Sequence, residues 1–247
     1  MIINDKILEV FHEEASRASI DQITIGLGYT ALTLTDGRCG LCSTLIHNFS
    51  DCPVSQDPLD YEKKPALPLL QKITSKNPLA RVLAIALVNA LNYNYAYACS
   101  EDSGQLIQDL HLRKYDKVAM VGYFRPVAAY FEEGGIEVKS YDIGKQMGNL
   151  SEFYHWACSE ADAVVITATS LINGTIEEVL AQLQEKTIPA VIMGPSTIMR
   201  PEIYSHLKVT MLAGTVALDT EAIVKAVRNG KGTRVLHKHA KKVQLMI

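Results

Sequence analysis

Short hydroxyl and amide side chains that could bind an anionic ligand are concentrated in residues 167–175. Five of them occur there: Thr167, Thr169, Ser170, Asn173 and Thr175. The apolar residues 163–166 just before them predict a strand buried on both faces. The capping-box pattern Thr175-Ile-Glu-Glu178 opens a helix just after them. This order predicts an anion-binding loop, although helix capping alone would account for Asn173 or Thr175.

Two further loops follow predicted strands in the same way. One is Gly194-Pro195-Ser196-Thr197, and the other contains Gly122 and Phe124. A single glycine falls short of the G-x-G-x-x-G fingerprint, so a pyrophosphate-binding loop of the NAD type is not expected. Asp142 ends the next predicted strand, 20 residues after Gly122. An acid at that place would bind ribose hydroxyls, and capping of its own loop is the alternative.

Asn89 interrupts an otherwise apolar stretch, residues 79–91. Asn77 followed by Pro78 predicts the start of a buried helix there. A buried amide is costly unless it is hydrogen-bonded. Two interpretations stay open, because Asn89 either bonds neighbouring backbone or points into a site between two domains.

Four residues have the C-x2-C-x4-H-x4-C spacing of a zinc knuckle, namely Cys39, Cys42, His47 and Cys52. Three thiolates and an imidazole would complete a tetrahedral zinc site. The Asp36-Gly37 turn, however, predicts a strand that follows it and points Cys39 and Cys42 to opposite faces. Free, partly buried thiols are therefore the favoured interpretation, with zinc as the alternative.

The elements that would position these residues fall into two groups. Residues 1–98 combine helices with a hairpin of strands and predict an α+β domain. In residues 103–247, five apolar strands alternate with helices. They begin near residues 118, 136, 163, 190 and 209. That alternation predicts an α/β fold whose second domain is a Rossmann-like, doubly wound parallel sheet.

Composition sets limits on the function. The 247 residues are 48% hydrophobic and 21% charged, with a net charge of −3, so nucleic acid is not an expected partner. No apolar run is long enough to insert into a membrane. Five cysteines without an export signal predict a cytoplasmic protein with free thiols. A homodimer is the expected assembly, because it is the commonest one.

The C-terminal residues 225–247 carry seven Lys or Arg side chains and no acid. A solvated terminal helix and strand is the favoured interpretation of this basic run. An anion-binding arm is the alternative.

Taken together, the motifs resemble the putative heavy-metal chelation family. The likeness rests on Gly26-Leu-Gly28-Tyr-Thr30, Asn77-Pro78, Asn89-Ala-Leu-Asn92, Val121-Gly-Tyr-Phe-Arg-Pro126, residues 167–175, Gly194-Pro-Ser-Thr197 and Leu212-Ala-Gly214. The resemblance implies an N-terminal domain shaped like the capping domain of enolases. It also implies a Rossmann-like domain similar to methyltransferases, with a site in the cleft between the two. The implied role is making or handling metal-chelating small molecules of the siderophore, pterin or flavin kind.

The residues and the resemblance predict a small-molecule ligand in the interdomain cleft, either anionic, nucleoside-like or pterin-like, or a divalent metal. One function that stays open is an enzyme that makes or processes a chelating molecule. The other is a carrier or sensor of a metal or metal–chelator complex, since no nucleophile or acid–base pair is recognisable. The expected ligand-binding residues are Thr30, Asn89, Gly122, Phe124, Asp142, Thr167, Thr169, Asn173, Thr175, Gly194, Ser196 and Thr197.

Overall fold

The N-terminal part of the chain combines a small antiparallel sheet with helices. The computed structural model describes residues 2–45, 60–183 and 187–247. The first elements are α1 (Ile2–Arg17), β1 (Ile20–Ile25), β2 (Tyr29–Leu34), β3 (Cys39–Ser43), α2 (Leu67–Leu70), a 3-10 turn (Gln71–Thr74), α3 (Pro78–Leu91) and α4 (Tyr93–Ala98). The three strands pair in the order β1-β2-β3. No helix in the described part of the chain is long and apolar enough to cross a membrane.

Helix α3 is the centre of this unit. It begins as the sequence predicts, because the Asn77 side chain accepts hydrogen bonds from the backbone N–H groups of Leu79 (2.9 Å) and Ala80 (3.4 Å). Nine of its residues are buried, since β2 and β3 cover one side of the helix and α1, α2 and the 3-10 turn cover others. A helix that is apolar on every side is stable only when it is enclosed in this way.

The second group of elements forms a large sheet with helices on both faces. They are β4 (Ser100–Glu101), α5 (Leu106–Asp109), β5 (Lys117–Val121), α6 (Arg125–Glu133), β6 (Glu137–Tyr141), α7 (Leu150–Glu160), β7 (Ala163–Thr167), α8 (Thr169–Asn173), α9 (Ile176–Leu183), β8 (Ala190–Met193), α10 (Pro201–Tyr204), β9 (Met211–Ala217), α11 (Thr220–Arg228), α12 (Thr233–Leu236) and β10 (Ala240–Met246). The strand order is β4-β10-β9-β8-β7-β5-β6. Strands β5 to β9 are parallel, whereas β10 and β4 are antiparallel to their neighbours.

The parallel strands have the order of flavodoxin-like sheets, in which the direction of winding reverses at the first strand. Here that strand is β5, which lies between β6 and β7. Side chains alternate across the sheet: Val118 and Met120 pack with the α6 side, and Ala119 packs with the α3, α7 and α9 side. The predicted fold class, α/β with a separate N-terminal α+β unit, is confirmed.

Two local predictions need correction. Residues 167–175 are not one loop, because they contain the short helix α8, which ends at Gly174 in the left-handed conformation (φ 75°). Five residues are too few for a helical period to be visible in sequence. The large sheet has seven strands rather than five, because β10, in which the C-terminal basic run ends, pairs along the whole of β9, and the short strand β4 pairs with β10.

The two parts of the chain share one hydrophobic core. Residues of α1 and α3 belong to the same buried cluster as residues of α7, α9 and β7. On the other side of α3, Gly40 of β3 lies directly against the helix backbone. A Cβ atom at Gly40 would lie 2.1 Å from the carbonyl oxygen of Ala86 and 2.2 Å from the nitrogen of Ala90. Only glycine allows this approach.

We therefore expect Gly40→Ala to destabilise the protein by about 3 kcal/mol, because the atoms that it meets belong to the helix backbone and have little freedom to move. The measurement is the free energy of unfolding in urea. Gly28→Ala is the matched control, since a Cβ at Gly28 meets nothing within 4 Å. Equal stability of the two variants would contradict the close packing of β3 on α3.

Candidate functional site

A cleft of about 1540 Å³ follows the carboxyl ends of the parallel strands. Its floor is formed by the loops after β5, β6, β7 and β8, and one wall by the end of β3 with residues 43–45. This is the edge at which open α/β sheets bind their ligands. Nine of the twelve predicted ligand-binding residues line the cleft: Gly122, Phe124, Asp142, Thr167, Thr169, Asn173, Thr175, Gly194 and Ser196.

The loops after β5 and β7 meet where the winding reverses. Gly122 has φ 83°, and a Cβ there would lie 2.6 Å from Cγ2 of Thr167. Glycine is therefore required both by its conformation and by the close approach. The Thr167 and Thr169 hydroxyls are 3.0 Å apart and hydrogen-bond each other. The two hydroxyls present one connected polar group to the cleft.

Asp142 is held by backbone groups of its own loop and of the loop after β5. Its carboxylate accepts hydrogen bonds from the backbone N–H groups of Tyr123 (2.8 Å) and Lys145 (3.0 Å), and the Lys145 ammonium lies 3.3 Å away. Burial acts to raise the pKa of Asp142, but these hydrogen bonds and the lysine charge outweigh it and lower the pKa below its ordinary value. This is the loop-capping arrangement that the sequence left open beside ribose binding.

Hydrogen bonds made by the Ser196 and Asn89 side chains join the wall and the floor of the cleft, and together they are called the polar seam. Oγ of Ser196 accepts a hydrogen bond from the backbone N–H of Ser43 (2.9 Å). Nδ2 of Asn89 donates to the carbonyl oxygens of Leu41 (2.8 Å) and Pro195 (3.2 Å). Asn89 therefore bonds backbone from both parts of the chain and does not line the cleft.

Thr30 and Thr197 are also placed away from the cleft surface. The Thr30 hydroxyl is fully buried and lies 2.9 Å from the Thr44 hydroxyl. The Thr197 hydroxyl donates to the carbonyl oxygen of Ala213 (2.8 Å). Both side chains support residues that do line the cleft, namely Thr44 and Ala213.

Cys39 and Cys42, the two cysteines of the candidate zinc knuckle in the described ranges, face different sides of β3. Cys39 packs in the cluster with α11, whereas Cys42 faces the main core, with its Sγ atom 3.4 Å from Oγ of Ser196. Burial raises the pKa of each thiol to about 12, so both stay protonated at neutral pH. His47 and Cys52 lie outside the described residues. Within the ranges that the structure describes, no three His, Cys, Asp or Glu side chains are grouped to hold a metal ion.

Aromatic side chains supply much of the cleft surface that the sequence did not indicate. Tyr123, Tyr141 and Tyr154 line it near β5 and β6. The ring of buried Phe153 supports two of them, with centroids 6.0 Å from Tyr141 and 5.8 Å from Tyr154. Burial raises the pKa of Tyr154 to about 12, so its phenol remains a hydrogen-bond donor. These tyrosines are scattered in sequence, and only the fold collects them.

Charged residues at the other end of the cleft were also missed. Asp102, His237 and Lys242 line it near β4 and β10. The one sequence signal for the last two was the basic C-terminal run, for which solvation was the favoured interpretation. Their position depends on the antiparallel pairing of β10 with β9, which no local pattern specifies.

Comparison with known proteins assigns the chain to a family. A family model described as putative heavy-metal chelation matches residues 105–246, and a second with the same description matches residues 8–92. The chain belongs to the putative heavy-metal chelation family. The resemblance found in its motifs is thereby confirmed.

Solved structures of the family have this fold. A protein of unknown function from Pyrococcus horikoshii is 21% identical, with a TM-score of 0.79 over 100% of both chains. Another from Desulfitobacterium hafniense is 16% identical, with a TM-score of 0.75 over 98% of this chain and 100% of that one. An uncharacterised protein of Methanocaldococcus jannaschii is 26% identical over 148 residues. That match spans 57% of this chain and 56%, about half, of the relative.

Because the Ser196 hydroxyl is hydrogen-bonded within the protein, we expect Ser196→Ala to lower the stability of the ligand-free protein. The substitution leaves the N–H of Ser43 without its partner, which costs about 1–3 kcal/mol. Urea unfolding of the ligand-free protein measures the effect, with the exposed Ser151→Ala as the matched control. An unchanged free energy of unfolding would mean that Ser196 is free to serve a ligand instead.

Asp142→Asn should destabilise the protein in a pH-dependent way. Because the folded pKa of Asp142 is lowered, its stabilisation is full above the unfolded value of about 3.9 and is lost as the pH falls through the folded pKa. The stability difference between wild type and variant, measured by urea unfolding, is therefore expected to shrink below about pH 4. The exposed Asp5→Asn serves as the control, and a difference that stays constant into acid would contradict the capping arrangement.

Proposed function

We propose that the cleft binds a small molecule that combines a flat ring system with an anionic group, of the nucleoside-like or pterin-like kind. The protein would act in the synthesis or processing of a metal-chelating small molecule. The observation that carries the proposal is the position of an aromatic-walled cleft at the carboxyl ends of β5 to β9. Family membership supplies the link to chelation.

The aromatic end of the cleft supports a flat ring. Tyr123 lies in the loop after β5, Tyr141 ends the neighbouring strand β6, and Phe124 follows Tyr123 in the same loop. Stacking of a heteroaromatic ring on such side chains contributes about 1–3 kcal/mol per ring. The ammonium of Lys145, which also pairs with Asp142, lies 5.2 Å from the Tyr123 ring centroid and helps to hold that ring in place.

The polar loops support hydroxyl or acidic groups on the ligand. Asn173 is exposed at the end of α8, and Thr175 follows it before α9. Both line the cleft, together with the Thr167–Thr169 pair. Short donors of this kind fix the orientation of a ligand that the aromatic surface binds.

In this proposal a metal ion is bound by the small molecule and not by side chains of the protein. Cys39 and Cys42 face different clusters and are protonated thiols, whereas a thiolate is the form that binds metal. A chelating molecule supplies its own donor atoms, so the protein needs only to recognise that molecule.

A second candidate function is a carrier or sensor without chemistry. It is favoured because two polar side chains that line the cleft, Ser196 and Asp142, are already hydrogen-bonded to the protein itself. Incubating the purified protein with its own bound molecule separates the two functions. Chemical change of that molecule supports the enzyme, and release of an unchanged molecule supports the carrier.

Native mass spectrometry of freshly purified protein, with a denatured control, tests the proposal directly. The expected result is an organic mass that is lost on denaturation. Tyr123→Ala should lower its occupancy by about tenfold, because one stacking surface is removed. Tyr97→Ala is the matched control, since Tyr97 is half exposed and does not line the cleft. Retention of the organic mass by Tyr123→Ala at wild-type occupancy would contradict the ring-binding role.

A further inference from the structure

Three charged or titratable residues meet at the β10 end of the cleft. Strand β10 is antiparallel to β9, so its first residues lie beside the carboxyl end of β9, with Lys242 opposite Thr215. Asp102, the residue that follows β4, lies beside Lys242, because its N–H donates to the carbonyl oxygen of Lys242 (3.0 Å). His237 ends α12 just before β10. All three residues line the cleft.

The charges at this end are only partly balanced. The Lys242 side chain forms no ion pair with any residue in the described ranges. Asp102 directs one carboxylate oxygen to the N–H of Gly104 (3.0 Å). His237 is half-buried, and its pKa is lowered, chiefly by burial and then by the Lys242 charge, against the opposing effect of Asp102. At neutral pH the cluster therefore presents an ammonium and an uncharged imidazole to the cleft, beside the Asp102 carboxylate, one oxygen of which is held by the N–H of Gly104.

We infer that His237 and Lys242 bind an oxyanion, a carboxylate or phosphate group, of the cleft ligand. An ammonium attracts an anion and repels a metal cation at the same place. An imidazole that sits beside an ammonium can bind a proton when an anion arrives, and then both groups donate to it. For the natural ligand, this inference rests on the proposed function.

The position of the subsite also limits the ligand. Four strand-to-strand steps separate β10 from β5, in the order β10-β9-β8-β7-β5. At about 4.8 Å for each step, the two strands are about 19 Å apart. A ligand that stacks on Tyr123 and places its acid at His237 must therefore be elongated, with the ring and the acidic group at opposite ends.

The test follows the imidazole of His237 by NMR, with inorganic phosphate and malonate as separate probes. His237→Gln identifies the signal. We expect at least one probe to raise the pKa of His237 in a saturable manner, because a bound anion stabilises the imidazolium. A stronger response to phosphate identifies a phosphate subsite, and a stronger response to malonate identifies a carboxylate subsite. No change in the titration with either probe overturns the inference.

Two lysine variants make the test specific. Lys242→Gln should weaken binding of the effective probe by about tenfold and raise the pKa of His237 in the free protein. Lys225→Gln removes the same charge from an exposed position on α11 outside the cleft and should change neither quantity. Equal effects of the two substitutions would mean that only the overall charge matters, which also overturns the inference.

The NMR experiment does not require the natural ligand, so it can fail independently of the proposed function. If the wild-type protein carries an organic mass but neither probe changes the pKa of His237, the anion subsite alone is rejected. If a probe raises the pKa of His237 but the protein never carries an organic molecule, the anion subsite is supported and the ring-binding function is rejected.

Discussion

The enclosure of α3 between the small sheet and the rest of the molecule is the constraint on which the structure depends. The helix has no polar face, so both of its sides must be covered. Gly40 lets β3 lie against its backbone, and the hydrophobic cluster of the large sheet continues across the other side. The two parts of the chain are consequently packed as one body around a shared helix.

Asn89 shows how this enclosure also shapes the cleft. A half-buried amide in an apolar helix needs hydrogen-bond partners for the part of it that water does not reach. Its two N–H groups reach one carbonyl of β3, at Leu41, and one in the loop after β8, at Pro195. Ser196 adds a bond across the same boundary to Ser43. The wall and the floor of the cleft are thus held at a fixed separation by groups that are themselves too engaged to bind a ligand.

Sequence reasoning placed the starts of β5 to β8 within one residue, and the start of β9 two residues early, because buried apolar runs are local signals. Asn77 acts as the helix cap that the sequence predicts. Sequence reasoning did not distinguish polar residues that hold the structure together from those that are exposed. Ser196 and Asn173 both follow predicted strands, but Ser196 is bonded within the protein and Asn173 is exposed. That difference depends on distant chain segments, as Ser43 illustrates. The fold class was therefore predictable, whereas the division of roles among the polar residues was not.

The two ends of the cleft arise from different features of the sheet. The aromatic end lies at β5 and its neighbour β6, next to the reversal of winding at β5, where any sheet of this order opens a crevice. The cationic end exists because β10 runs antiparallel to β9 and returns the basic C-terminal run to the carboxyl edge. A parallel strand at that place would have carried Lys242 to the opposite end of the sheet. The direction of one terminal strand therefore places His237 and Lys242 in the cleft, whereas the basic side chains from Lys225 to Lys238 remain exposed outside it.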